Sequence, residues 1–278
     1  MLFGAVMMVL SGGCSVNILE TFADKNSNEA LYVDAVTLIN SADYSGALTK
    51  IALMTPPFSE TAAVHELKAS AYGGICGFTF ISFVQAIQAN TGRLMPFLVN
   101  QFKGATSAKI SACINAEAEI TGLGTVTERT DDQNAFLVLS SLAKVGTILS
   151  YYTDSDQDGT ADQGGGEDVC QNNLGARPGV PVKGNWYDSD LRQVGSGLTL
   201  AVEALTQLGT KVDFSGASMA SVTTACGSLA VGGNFCAVTN PASFTATQVK
   251  GIQSLIKESS TIGLSINCVG DVTTCNCP

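Results

Sequence analysis

The stretch TDDQNAFLVLSSLAKVGTILSYYTDSDQDGTAD, residues 130–162 of a 278-residue chain, contains the strongest helix signal and runs directly into an acidic loop. Thr130 and Gln133 fit a capping box, in which each side chain bonds the other residue's backbone N–H. Apolar residues then recur at the spacing of one helix face: Ala135, Val138, Leu139, Leu142, Val145, Leu149 and Tyr152. The sequence shows no useful run with the period of two that strands require, so we predict an all-α fold.

The acidic loop that follows this helix places carboxylates on alternate residues and then turns at Gly159. Like charges this close repel one another unless a cation lies between them. Calcium takes six to eight oxygen ligands, and a turn at glycine lets a backbone carbonyl join the carboxylates. We therefore predict one calcium ion held by the following residues: Asp154, Asp156, Asp158, Thr160 through its carbonyl, and Asp162.

Over about nine residues the loop resembles the calcium loops of EF-hands and of thrombospondin type 3 repeats. An EF-hand has a bidentate Glu at its twelfth loop position, where this chain has Gly165. Glu167 or Asp168 could instead fold back across the glycine run to complete the site. The resemblance implies a structural calcium ion. The alternative is a solvated acidic loop that binds no metal.

The N-terminus has the layout of an export signal. An apolar run, Leu2 to Leu10, is too short to span a bilayer and is followed by small residues and Cys14. This arrangement resembles a bacterial lipobox, which implies that residues 1–13 are a signal peptide and that Cys14 is lipidated. The implied location is the bacterial cell envelope, as an outer-membrane lipoprotein facing the periplasm or the surface. An ordinary signal peptide is the alternative.

Eight cysteines remain after Cys14, and an even set in an exported chain predicts disulfides. Cys226 and Cys236 bracket a short Gly-rich turn, so we predict that they pair. The other pairings do not follow from the sequence. An alternative for the tail is a zinc site formed by Cys268, Cys275 and Cys277.

Residues 28–90 show a helical-hairpin pattern. A first helix is followed by a tight turn at Asp43, a small residue at Ala47 and a stop at Pro56, and Ser59 is placed to cap a third helix. The pattern resembles tetratricopeptide repeats. That resemblance implies antiparallel helical hairpins stacked as an irregular array with a concave binding face.

Further helices are predicted along the rest of the chain at 75–84, 93–103, 107–120, 191–208, 215–229 and after a second capping box at Thr245 and Gln248. We expect the helix over 191–208 to pack antiparallel on the helix before the acidic loop. Trp186 and Tyr187 at its start are interpreted as a core anchor under the loop, the alternative being an exposed binding platform.

These elements give one helical domain, residues 14–278, after the signal peptide. It comprises N-terminal hairpins over 28–152, an Asp/Gly-rich loop over 153–184, and C-terminal helices with a Cys-rich tail over 185–278. Hydrophobic residues make up 45% of the chain and charged residues 14%, which is enough apolar material for a core. The net charge of −10 argues against nucleic-acid binding.

The sequence carries no nucleophile elbow and no phosphate loop, and we expect a protein that is not an enzyme. Ser141 and Lys144 fit the S-x-x-K pattern, which we interpret as chance, and His65 is the single histidine. A catalytic His65 would need acids clustered around it. Our first hypothesis is an envelope lipoprotein that acts as a binding or scaffold module for a protein or peptide partner. The alternative is a solute-binding accessory of a transporter, which a deep pocket between hairpins would favour.

Overall fold

The computed structural model describes residues 26–162, 169–170, 172–173, 186–209, 219–229 and 232–277. Within these ranges the chain forms ten α-helices and two strands of two residues each. The prediction of an all-α fold is therefore confirmed. The helices are α1 (Asn28–Asn40), α2 (Tyr44–Ile51), α3 (Ala62–Cys76), α4 (Phe80–Ala89), α5 (Leu94–Gln101), α6 (Ser107–Thr121), α7 (Asp131–Thr153), α8 (Asp188–Leu208), α9 (Met219–Ser228) and α10 (Ala246–Lys257).

Helix α7 lies at the centre of the molecule. Both halves of its capping box form, since the Thr130 side chain accepts from the backbone of Gln133 and the Gln133 side chain accepts from the backbone of Thr130. Among the described segments, α7 and the bent pair α3–α4 are long and apolar enough to cross a membrane. In α7, 83% of that apolar stretch is buried within the protein, as in the core helix of a folded domain.

Helix α8 packs on α7 in the antiparallel sense that the sequence predicts. Tyr152, late in α7, bonds Asp190 at the start of α8, whereas Lys144 in the middle of α7 bonds Ser196 further along α8. The helices approach closely at Gly197, where an added Cβ would lie 2.9 Å from a methyl carbon of Val145.

The helices form two hydrophobic clusters. Helices α1 and α2 pack on each other and on the first part of α3, and a larger cluster surrounds α7 and α8. Helix α3 packs mainly on α6, and α5 and α6 both pack on α7. A stack of successive hairpins would place each helix beside its neighbours in sequence, so the tetratricopeptide-like arrangement is not confirmed.

Two predicted helix limits differ from the structure. Helix α3 is preceded by Thr61 at its N-cap, not by Ser59, which lies in a 3₁₀ turn over Phe58–Glu60. The apolar run 75–84 is not one helix, because the chain turns at Gly77 with a φ of 104° and separates α3 from α4. Apolar composition alone does not reveal a break that a left-handed glycine makes.

Strand β1 (Asn172–Asn173) pairs in parallel with β2 (Trp186–Tyr187), within the region that the sequence assigned wholly to loop and helix. Trp186 is completely buried and stacks on Tyr152, with ring centroids 4.4 Å apart. The interpretation of Trp186 and Tyr187 as a core anchor is confirmed for Trp186, and Tyr187 is partly buried against the same core.

The eight cysteines after Cys14 form four disulfides, joining Cys76 to Cys113, Cys170 to Cys277, Cys226 to Cys236, and Cys268 to Cys275. The predicted pairing of Cys226 with Cys236 is confirmed. The zinc alternative for the tail is wrong, because all three of its cysteines are in disulfides. Four disulfides indicate an oxidising, non-cytoplasmic compartment. Cys14 lies outside the described residues.

Candidate metal centre

The candidate metal centre begins where α7 ends. Asp154 is the C-cap of α7, its backbone N–H donating to the Ser150 carbonyl, and its side chain is buried with 2% exposure. Oxygen atoms of Asp154, Asp156 and Asp158 lie within 4.8 Å of one another. The structure therefore brings together three of the residues that the sequence selects, with Asp154 buried and the other two exposed.

The turn after Asp158 depends on glycine. Gly159 has a φ of 89°, and a Cβ there would lie 2.9 Å from the side-chain nitrogen of Asn100 on α5. The Gly159 N–H donates to Asp154 Oδ2 at 3.1 Å, and the Thr160 N–H donates to Asp158 Oδ1 at 2.6 Å. These bonds wrap the backbone around the carboxylates, and the turn at Gly159 lies close to Asn100 of α5.

Asp162 has a different position from the other three acids. Its Oδ2 accepts from the Ser155 backbone N–H at 2.8 Å and from the Ser155 hydroxyl, and its own N–H donates to the Thr153 carbonyl. The structure does not group its carboxylate with those of the other three. Asp162 closes the loop onto its beginning. Glu167 and Asp168 lie outside the described residues.

The electrostatics of the group centre on Asp154. Burial raises the pKa of the Asp154 carboxyl, the charges of Asp158 and Asp156 raise it further, and backbone hydrogen bonds from Gly159 and Asp158 oppose the rise. Its Oδ1 is buried and has no hydrogen-bond partner among the described residues. A buried, unpaired carboxylate oxygen is costly unless a cation or a donor satisfies it.

The donor set fits calcium. It consists of carboxylate oxygens, which are the hard ligands that calcium takes, and it contains neither the sulfur nor the imidazole ligands typical of zinc. The three grouped carboxylates leave positions for backbone carbonyls and water. The sequence predicts that the backbone carbonyl of Thr160 fills one of these positions.

A second constellation was missed from the sequence. Lys144 is completely buried, and its Nζ donates to Glu117, to Gln193 Oε1 at 2.9 Å and to Ser196 Oγ at 2.9 Å. Ser141 donates to the other carboxylate oxygen of Glu117 at 2.6 Å. The S-x-x-K residues thus share one buried carboxylate. A lysine within the apolar pattern of α7 was the available signal, but nothing in the sequence identifies Glu117 as its partner.

Glu117 also lies at the edge of a cavity of about 480 Å³ between α6, α8 and the loops around residues 124–129 and 239–241. The cavity is lined by Ile114, Glu117, Ala118, Thr121, Gly124, Thr125, Val126, Arg129, Gln193, Leu200, Glu203, Thr239, Asn240 and Pro241. Both charged and apolar side chains face it. Its volume lies in the range of small-molecule sites.

His65 lies on α3 and is half-buried, with its Nδ1 2.6 Å from Glu119 Oε2 on α6. This contact joins two helices that pack on each other. The structure thus gives His65 a role in tertiary contact.

Comparison with known proteins gives no relative to guide the interpretation. No protein-family profile, no curated protein and no solved structure matches the chain.

Proposed function

We propose that the protein is an exported helical binding module whose acidic loop holds one structural calcium ion. The observation that carries the proposal is the buried Oδ1 of Asp154, which has no hydrogen-bond partner among the described residues and belongs to a group of three carboxylates. A bound calcium ion would satisfy that oxygen and cancel the repulsion among the three acids.

The ion would also tie two parts of the core together. The carboxylate of Asp154 follows directly from α7, and the turn at Gly159 packs on Asn100 of α5. An ion that holds both sides of the loop would fix the C-terminal end of α7, where the chain leaves the core. An ion that binds the folded state and not the unfolded chain stabilises the protein by mass action.

This proposal is tested by thermal unfolding with and without calcium. We expect calcium to raise the melting temperature of the native protein, and the double variant Asp156→Ala/Asp158→Ala to lose that rise. Asp34→Ala, on the exposed face of α1, is the matched control and should keep it. Magnesium should substitute poorly, because it requires compact octahedral geometry. A calcium response that is unchanged in the double variant would contradict the proposal.

We propose further that Cys14 is lipidated and tethers the protein to the bacterial envelope, with the helical domain on an oxidising side of the membrane. The four disulfides support this compartment. Cys14→Ser should move the protein from the membrane fraction to the soluble fraction. Continued membrane association, with an unchanged N-terminal mass, would refute the lipid anchor.

Two binding roles are open to such a module: a scaffold for a protein or peptide partner, and a solute-binding accessory of a transporter. The cavity between α6 and α8 favours the second, since it has the volume of a small-molecule site. Its ligand chemistry can be argued from the side chains that face it.

A further inference from the structure

We propose that the cavity between α6 and α8 binds a small zwitterion, with a carboxylate at one end and an ammonium group at the other, as in a free amino acid or a short peptide. The inference rests on the proposed binding role and names the ligand class for it. It is independent of the calcium loop, which lies at the other end of α7.

Arg129 supplies the anion-binding end. It is 8% exposed, its Nε donates to Asn134 Oδ1 at 3.0 Å, and its Nη1 donates to the carbonyl of Gly124. Its Nη2 has no hydrogen-bond partner within the described part of the chain. Burial lowers the pKa of Arg129, and the charge of Glu203 opposes this. The guanidinium is thus fixed by two neutral acceptors, and a ligand carboxylate would complete its hydrogen bonding.

Glu203 supplies the cation-binding end. It is half-buried on α8, lines the same cavity and attracts Arg129 through space. Neither a hydrogen bond nor an ion pair within 4.0 Å engages its carboxylate among the described residues. The cavity therefore presents one cation and one anion that do not neutralise each other by contact. A ligand bearing both complementary charges would bridge them.

The edge of the cavity at Glu117 does not repel a ligand carboxylate. Both oxygens of Glu117 are engaged, one by Lys144 and one by Ser141. Lys144 also donates to the side-chain oxygen of Gln193, Oε1. The side-chain nitrogen of Gln193, Nε2, is then a donor without a partner in the described residues. This edge thus offers a neutral donor to the anionic part of a ligand.

The lining also argues against other ligand classes. None of the described residues that line the cavity is aromatic, so nothing there stacks on a sugar ring or a nucleobase. Opposite charges on Arg129 and Glu203 disfavour a lipid chain, which would leave both unpaired. The apolar part of the wall, from Ile114 and Leu200, suits the aliphatic portion of a small amino acid or dipeptide.

The test is calorimetric titration of the full-length protein with Ala-Ala dipeptide and with each of the twenty amino acids singly. N-acetyl-Ala-Ala, which lacks the ammonium group, and Ala-Ala amide, which lacks the carboxylate, are matched control ligands. We expect at least one zwitterion to bind, and removal of either charge to weaken binding about tenfold or more, because hydrogen bonds between charged groups are stronger than those between neutral groups.

Glu203→Gln is the decisive variant, since it leaves the contacts of Arg129 with Gly124 and Asn134 in place. It should weaken binding of the best zwitterion about tenfold, while a ligand without an ammonium group should bind the variant at least as well as the native protein. No binding across the whole panel at millimolar concentration, or equal binding of capped and uncapped dipeptides, would overturn the proposal. The calcium response is measured in the same samples, so loss of ligand binding and loss of calcium binding are distinguished.

Discussion

The backbone N–H of Gly159 donates to Oδ2 of Asp154 at 3.1 Å, while Oδ1 of the same carboxylate is buried and has no partner in the part of the chain that the structure describes. One carboxylate thus has one oxygen that folds the loop and one that is available to a ligand. The glycine is required, because the chain passes Asn100 with a positive φ. Residues of the chain itself therefore define the turn of the loop.

The variant Asp154→Asn tests how much the buried charge of Asp154 destabilises the fold when no calcium is bound. Without calcium, chelated by EDTA, we expect the variant to be more stable than the native protein by about 1–3 kcal/mol, since an unpaired buried charge is removed. Its amide nitrogen could also donate toward Asp156 and Asp158. Urea unfolding in EDTA measures this. Asp34→Asn is the control: it removes an exposed carboxylate that pairs with Lys50 at 2.8 Å, so it should leave stability unchanged or lower it slightly. An Asp154→Asn variant less stable than the native protein in EDTA would contradict the electrostatic argument.

The buried pair of Lys144 and Glu117 should be strongly coupled. Lys144→Met leaves the Glu117 carboxylate buried without its cationic partner, and we expect a loss of about 3–5 kcal/mol in unfolding free energy. Glu117→Gln combined with Lys144→Met should recover much of that loss, because no charge then remains. Chemical denaturation of the two single variants and the double variant measures the coupling. Additive losses would show that the two residues act independently.

Glu258 predicts a dependence of stability on pH. Burial alone would raise the pKa of Glu258, but hydrogen bonds from Gly263, Thr261 and Ile262 together bring it below the usual range. The folded state therefore gains stability above the pKa of the unfolded chain, about 4.3, and loses it as pH falls through the lower folded value.

Acid unfolding at pH 2–6 measures this effect. Glu258→Gln should be less stable at pH 7 by about 2 kcal/mol, because an amide cannot accept at both ends from the six donors. The difference from the native protein should shrink toward low pH. A difference that stays constant across this range would exclude Glu258 as a source of the acid sensitivity.

The disulfides should differ in their contributions. Cys170 and Cys277 are 107 residues apart in sequence, whereas Cys268 and Cys275 are 7 apart. On the chain-entropy account, replacing the first pair with Ser should cost about 2 kcal/mol more than replacing the second. Comparison of the two double variants by chemical denaturation checks this. An equal or reversed order would mean that local packing outweighs loop closure.

Local signals were sufficient for several elements of the fold. The capping boxes at Thr130 and Thr245 locate the starts of α7 and α10, since both partners of each box lie within one turn. The grouping of Asp154, Asp156 and Asp158 also follows from spacing within five residues. Features of this kind are encoded by neighbours in sequence.

Features that depend on tertiary packing could not be predicted. Glu117 and Lys144 are 27 residues apart, on different helices, and the sequence around either residue does not identify the other as its partner. The cavity combines two helices and two loops, and only packing shows that Arg129 and Glu203 face one space. The packing of α3 on α6 likewise depends on contacts between helices that are not neighbours in sequence, and the spacing of a repeat does not reveal such contacts.

Isothermal titration of calcium into the metal-free protein tests the claim that the acidic loop binds calcium. We expect one ion per chain, with binding abolished in Asp156→Ala/Asp158→Ala and kept in Asp34→Ala. Native protein that shows no binding heat at millimolar calcium, and no calcium-dependent change in melting temperature, would contradict the claim.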